Sequence, residues 1–152
     1  MAEVEESEIY RPSGEVLAGI SSGIVGLYRE HFGKGPTKAK TYVLDDLVIC
    51  VLRDGLTTVE RTLFAEGRAD SVREMRTAFQ DAVADKFNAV VEGLTGRRVV
   101  AFLSQAHVNP DLAIEVFFLD GSIIPDGVHE TDGHDDAIEG DETGSTESSE
   151  PT

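Results

Sequence analysis

The residues best suited to chemistry in this sequence are basic and gather at two places. Gly33, Lys34, Gly35, Pro36, Thr37, Lys38, Ala39 and Lys40 form a glycine-bearing loop with three lysines, and Arg97 and Arg98 follow Gly96 further on. Glycines beside Lys and Thr suit a phosphate or another small anion, because the backbone comes close and the ammonium groups neutralise charge. The order GxxxxGK[ST] is absent, however, and the loop follows a helical pattern, at the negative end of the helix dipole. A C-cap and a solvated basic loop explain most of it. If the two basic junctions meet, Lys34, Lys38, Lys40, Arg97 and Arg98 form an anion or nucleotide site, or a dock for an acidic segment.

Other chemistry is poorly supplied. The single cysteine, Cys50, lies within an apolar strand pattern and has no partner for an intrachain disulfide, and no serine sits in a nucleophile elbow. His31 is on the apolar side of a helix, His107 in a turn, and His129 and His134 in an acidic stretch with no structural-zinc spacing. We therefore expect no catalytic residue, no metal, no cofactor and no enzyme.

The elements that would carry these residues follow from pattern. Ser13 is an N-cap, and Leu17, Ile20, Ile24, Leu27 and Tyr28 recur at helical spacing until Gly33, which predicts a helix over about 14–32. Lys40–Leu44 and Leu47–Leu52 read as strands of a hairpin turning at Asp45 and Asp46. Thr57 with Glu60, then Ser71 with Glu74, have capping-box spacing and predict a short helix closed by Gly67 and a longer one. Met75, Phe79, Val83, Phe87, Val90 and Val91 line one side of the longer helix. A second hairpin joins Val99–Ser104 to Leu112–Leu119 by a turn at Asn109 and Pro110. The halves resemble each other: Gly33, Tyr42 and Val43 align with Gly93, Phe102 and Leu103, and Leu47, Ile49 and Val51 align with Leu112, Ile114 and Val116. The expected fold is α+β, a two-layer sandwich. Two helix-plus-hairpin units form a mostly antiparallel four-stranded sheet with helices on one face.

Two features point to assembly. Gly19, Gly23 and Gly26 lie opposite the apolar stripe of the first helix, where each glycine costs up to about 1 kcal/mol against Ala. Close packing on a helix of the same domain or on a partner would offset that. The strand Leu47–Leu52 is apolar on both faces, with Leu47, Ile49 and Val51 alternating with Val48, Cys50 and Leu52. We expect a homodimer, with Gly19, Gly23, Gly26, Val48, Cys50 and Leu52 as candidate interface residues.

The 152 residues carry 13 basic and 29 acidic side chains, for a net charge of −16. That balance argues against nucleic acid and against an anionic lipid surface. Residues 122–152 hold ten acids and no Lys or Arg, and residues 1–12 hold four acids and Arg11, which leaves 13–121 nearly balanced at −3. We expect an acidic N-terminal extension over 1–12, a folded domain over 13–121, and a disordered acidic tail over 122–152. With no basic, apolar leader and no apolar run near 20 residues, the expected location is cytoplasmic, peripheral to a membrane only through a protein partner.

Three segments, GEVLAGISSGIVGLYREHFGKGPTKAKTY (14–42), DDLVICVLRDGLTTVE (45–60) and GRRVVAFLSQAHVNPDLAIEVFFLDG (96–121), together resemble a bacterial family named for MpsC. MpsC is the C component of a sodium-translocating system that generates membrane potential. The resemblance implies association with an ion or inorganic-carbon uptake system whose membrane components are separate polypeptides. It supplies no catalytic residues to transfer. The expected function is accessory or regulatory, through protein contact with membrane transport subunits; the alternative is a small-anion or nucleotide sensor using the basic loop.

Overall fold

A computed structural model of the chain describes residues 13–123. The N-terminal extension and nearly all of the expected acidic tail, with His129 and His134, lie outside the described residues.

The first helix, α1 (Gly14–Phe32), starts where Ser13 Oγ accepts the amide of Val16 and ends at Gly33, whose φ of 83° is left-handed. Strands β1 (Lys38–Leu44) and β2 (Leu47–Arg53) form the first hairpin, with Asp45 at φ 55° in its turn. Helix α2 (Thr58–Ala65) carries the full capping box of Thr57 and Glu60. Helix α3 (Ala69–Thr95) then spans 27 residues to a second left-handed glycine, Gly96. It begins before the expected Ser71, with Arg68 at the N-cap and no side-chain cap, so Ser71 and Glu74 lie inside the helix. Strands β3 (Val99–His107) and β4 (Leu112–Leu119) complete the order.

The sheet has the order β1-β2-β4-β3, and every neighbouring pair is antiparallel. Its register exposes an internal symmetry. Cys50 on β2 lies opposite Glu115 on β4, Leu47 opposite Phe118 and Arg53 opposite Leu112. The strands therefore map onto each other by a local two-fold axis through the Cys50–Glu115 pair. Thr41 pairs with Cys50 and Ser104 with Glu115, so Thr41 and Ser104 are counterparts. The same shift matches Gly33 with Gly96, and Ile20, Ile24 and Tyr28 with Val83, Phe87 and Val91, all six of these side chains being buried. This corrects the expected alignment of Gly33 with Gly93 and Tyr42 with Phe102. A slip of three residues crosses the pleat, and it had matched an outward Tyr42 with an inward Phe102.

Both long helices cover the face carrying Val48, Cys50, Leu52, Glu115, Phe117 and Leu119, and their apolar stripes fill the space above it. Tyr28, Phe32, Phe79, Phe87, Phe102 and Phe117 form a chain of ring contacts with centroids 4.8–6.3 Å apart. Complete burial of a side chain such as Phe87 or Phe117 contributes about 1.5–3 kcal/mol.

The glycine stripe of α1 turns towards α3 rather than a partner. A Cβ on Gly23 would lie 2.6 Å from Val90 Cγ1, one on Gly19 would lie 3.1 Å from Leu94 Cδ1, and one on Gly26 would meet nothing within 4 Å. Gly19 and Gly23 are thus withdrawn from the candidate interface, because α3 occupies that space. Gly23 and Gly26 should respond oppositely. Gly23→Ala is expected to destabilise by about 1–3 kcal/mol through overpacking against the stiff Val90 side chain. Gly26→Ala should stabilise by up to about 1 kcal/mol through helix propensity; urea unfolding of both variants tests the pair.

Candidate functional site

Four residues in one cross-strand row, Thr41, Cys50, Glu115 and Ser104, put polar atoms at the middle of the otherwise apolar inner face. Cys50 and Glu115 are inaccessible and Thr41 nearly so. Ser21 from α1 hydrogen-bonds Thr41 with 2.7 Å between hydroxyl oxygens. Tyr28, one helical turn beyond Ile24, donates its hydroxyl to Glu115 Oε1. The second carboxylate oxygen, Oε2, and Ser104 Oγ are both buried on directly opposed strand positions, outside normal hydrogen-bond geometry but close enough for the hydroxyl to favour the charged carboxylate.

Burial decides the protonation of this row. It pushes the Glu115 carboxyl up to about 7, against the lowering effect of Ser104, Tyr28 and the Arg76 charge. It lifts the Cys50 thiol to about 11, and together with the Glu115 charge it holds the Tyr28 phenol well above its ordinary range. Cys50 is thereby a protonated, enclosed thiol with little nucleophilic character.

A second buried polar unit lies nearby. Arg76 of α3 grips Glu60 of α2 with both arms of its guanidinium, Nε to Oε2 and Nη2 to Oε1 (2.9 Å), while Nη2 also reaches Gly55 O at 3.3 Å. Glu60 is inaccessible and Arg76 nearly so. Burial alone would raise the Glu60 carboxyl and lower Arg76, but the hydrogen bonds and charge of the pair outweigh it in both. Glu60 Oε1 also accepts the Thr57 amide, so a single carboxylate caps α2 and ties it to α3. Asp111, at the turn of the second hairpin, joins this corner by accepting the Leu56 amide (3.0 Å) and pairing with Arg61 (3.3 Å). Between α2, α3 and the end of β3 the packing leaves a cleft of about 570 Å³ against which Arg76 and Ser104 stand.

The five expected anion-binding residues do not converge. Strands β1 and β3 are at opposite edges of the sheet and run in opposite directions, so their first residues lie at diagonal corners, about 14 Å apart across the sheet and about 20 Å along it. The two-fold relation that makes the junctions alike is what separates them. Lys34 donates to Leu56 O at 3.0 Å, the Arg97 guanidinium packs against Gly121, and Arg98 and Asp120 exchange hydrogen bonds that close the β3–β4 pair. Lys38 and Lys40 instead join Arg53, which the sequence reading passed over, around a depression of about 300 Å³ floored by Tyr42 and Val51. His31 Nε2 lies 3.2 Å from Lys86 Nζ, and His107 Nδ1 lies 2.8 Å from Pro110 O.

Val48, Cys50 and Leu52 are likewise withdrawn from the candidate interface, since their own helices enclose them completely. The opposite parity takes their place. The sheet face turned away from the helices carries Tyr42 and Leu44 from β1, Leu47, Ile49 and Val51 from β2, Ile114, Val116 and Phe118 from β4, and Leu103 from β3. No element among the described residues covers it, and Leu44 (61 %), Leu103 (59 %) and Tyr42 (45 %) are substantially exposed. No helix among the described residues is long and apolar enough to cross a membrane.

Comparison with known proteins matches residues 13–121 to the family described as the Na+-translocating membrane potential-generating system (MpsC). Uncharacterized protein YrhF of Bacillus subtilis (strain 168) is 29 % identical over 100 residues, covering 64 % of this chain and 81 % of that protein. No solved structure matches the chain.

Two buried carboxylates make opposite predictions. Glu115 titrates near 7 when folded and near 4.5 when unfolded, so between these values the folded state alone keeps the proton. Its stabilising effect is complete below about 4.5 and is lost as pH rises to about 7. Glu115→Gln, which preserves an acceptor for Tyr28, should remove that slope; denaturation midpoints measured across this window, mutant against wild type, check it. Glu60→Ala leaves Arg76 buried without its partner and α2 without its cap, and is expected to cost about 3–5 kcal/mol by urea unfolding at neutral pH.

Proposed function

The chain belongs to the MpsC family, and on that premise we propose that it is a non-spanning accessory component of a sodium-translocating, membrane-potential-generating system and acts by protein contact. The observation that carries this reading is the uncovered outer face of the sheet. Four strands of about seven residues give it roughly 400 Å² in plan, at the upper end of what a monomer ordinarily leaves open. An antiparallel sheet can keep one face in water, but that face then carries polar residues at alternate positions; here the outward positions are apolar across the middle of the sheet, and Lys38, Lys40, Arg53, Gln105 and His107 are confined to one end.

The occupant we assign to this face is a second copy of the chain. A flat sheet face is best covered by another, about 10 Å away, and full use of the patch with its rim approaches the roughly 800 Å² per partner of a stable interface. The rim is self-complementary. Lys38, Lys40 and Arg53 stand at one end of the first hairpin, and exposed Asp45 and Asp46 stand at the other. A two-fold axis parallel to the sheet and perpendicular to its strands lays each basic end over the partner's acidic turn. The pair is then one dimeric contact unit for the membrane-embedded subunits, and it needs no catalytic step of its own.

Sedimentation of the full-length chain should give twice the chain mass. Leu103→Glu, placed on the exposed face, should give the single-chain mass with an unchanged circular dichroism spectrum. A wild-type monomer would overturn the pairing. In the source cells, removal of the chain should lower the sodium-dependent membrane potential, and the Leu103→Glu form should fail to restore it.

A further inference from the structure

The cleft beneath α2 and α3 is built differently from the rest of the domain. Arg73, Arg76, Thr77 and Gln80 line it from α3 at the i, i+3, i+4, i+7 spacing that normally marks an apolar stripe. One turn further on, the same helix becomes apolar, with Val83, Phe87 and Val91 in the core. The polar half of the stripe therefore faces a cavity where the apolar half faces protein.

The charge of the lining is selective. Acids outnumber bases 29 to 13 in the chain, yet the lining holds two arginines and His107 and no aspartate or glutamate. Arg76 is fixed by Glu60 through Nε and Nη2, and its Nη1 has no partner among the described residues. Arg73 has only an exposed contact with Asp70, one helical turn away. Next to this wall, buried Ser104 Oγ faces Glu115 without a well-formed hydrogen bond among the described residues. Apolar side chains, Leu56, Phe64, Val72 and Val108, share the rest of the lining with polar ones and stand beside the guanidinium groups. At about 570 Å³ the cleft is in the size range of small-molecule sites.

We propose that this cleft binds a small organic carboxylate with a short apolar body, its head held by Arg73 and the Nη1 edge of Arg76 and its body against Leu56, Phe64 and Val72. A guanidinium suits a carboxylate because its N–H groups are charged, planar and directed. A bare inorganic anion would satisfy the arginines and leave the apolar wall wet. The site is independent of the outer sheet face and does not rest on the pairing proposed there.

Calorimetric titration of the full-length chain tests this with sodium butyrate, sodium phosphate and, at equal ionic strength, sodium chloride. Butyrate should bind saturably with one site per chain and at least about tenfold more tightly than phosphate. Arg73→Gln and Thr77→Glu, both at exposed positions, should each weaken butyrate by about tenfold, the scale of one charge-assisted contact, with an unchanged thermal midpoint in its absence. Leu103→Glu should bind as the wild type does. Butyrate heats no different from chloride, tighter binding of phosphate, or affinity unchanged by both cleft variants would overturn the proposal.

Discussion

Strands β2 and β4 lie side by side at the centre of the sheet with Cys50 opposite Glu115, and the local two-fold axis through that pair organises the rest of the domain. An axis perpendicular to the sheet preserves its faces, so the helix of each unit arrives on the same side. Two helices and one sheet face then enclose a core, and the other sheet face receives no helix. The axis also sends the two basic junctions to diagonal corners. Inner core, open outer face and separated cations are consequences of one pairing.

The cost of that arrangement falls on its centre. The residue at the axis on β4 is a glutamate, desolvated beneath two helices, and the domain accommodates it with a tyrosine donor and a raised proton affinity. Glu60 meets a comparable degree of burial with the opposite result. Arg76 supplies charge and a bidentate geometry, and the carboxylate stays ionised. These two carboxylates, buried alike, differ because one has a cation in contact and the other has a phenol. Their partners Arg76 and Ser104 both line the cleft, so the candidate ligand site adjoins the polar interior.

Much of this was legible in the residues. The limits of α1, the turn at Asp45 and the capping box of α2 follow from local chemistry that acts within four residues. The two-faced apolar character of Leu47–Leu52 also revealed that one face would need a cover, although not which face. Glu115 left a signal that was easy to pass over. It shares the alternation of Ala113, Phe117 and Leu119, so its inward direction was readable from the strand itself. Arg76 gave less warning, because Met75 beside it was the more natural core residue; Met75 is 39 % exposed and Arg76 is buried.

The sequence by itself determined the secondary structure, the two-unit plan and the α+β class, since capping, periodicity and turn chemistry are local. It also determined the membership in the MpsC family carried by residues 13–121. Tertiary structure decided which strand face met the helices, where the repeat registered, and which of the charged side chains became neighbours. Those outcomes depend on contacts between residues distant in the chain, and a strand apolar on both sides is equally suited to either burial. Once β2 pairs with β4 and α1 packs against α3, Val48, Cys50 and Leu52 are committed to the core, and the opposite face is left uncovered among the described residues.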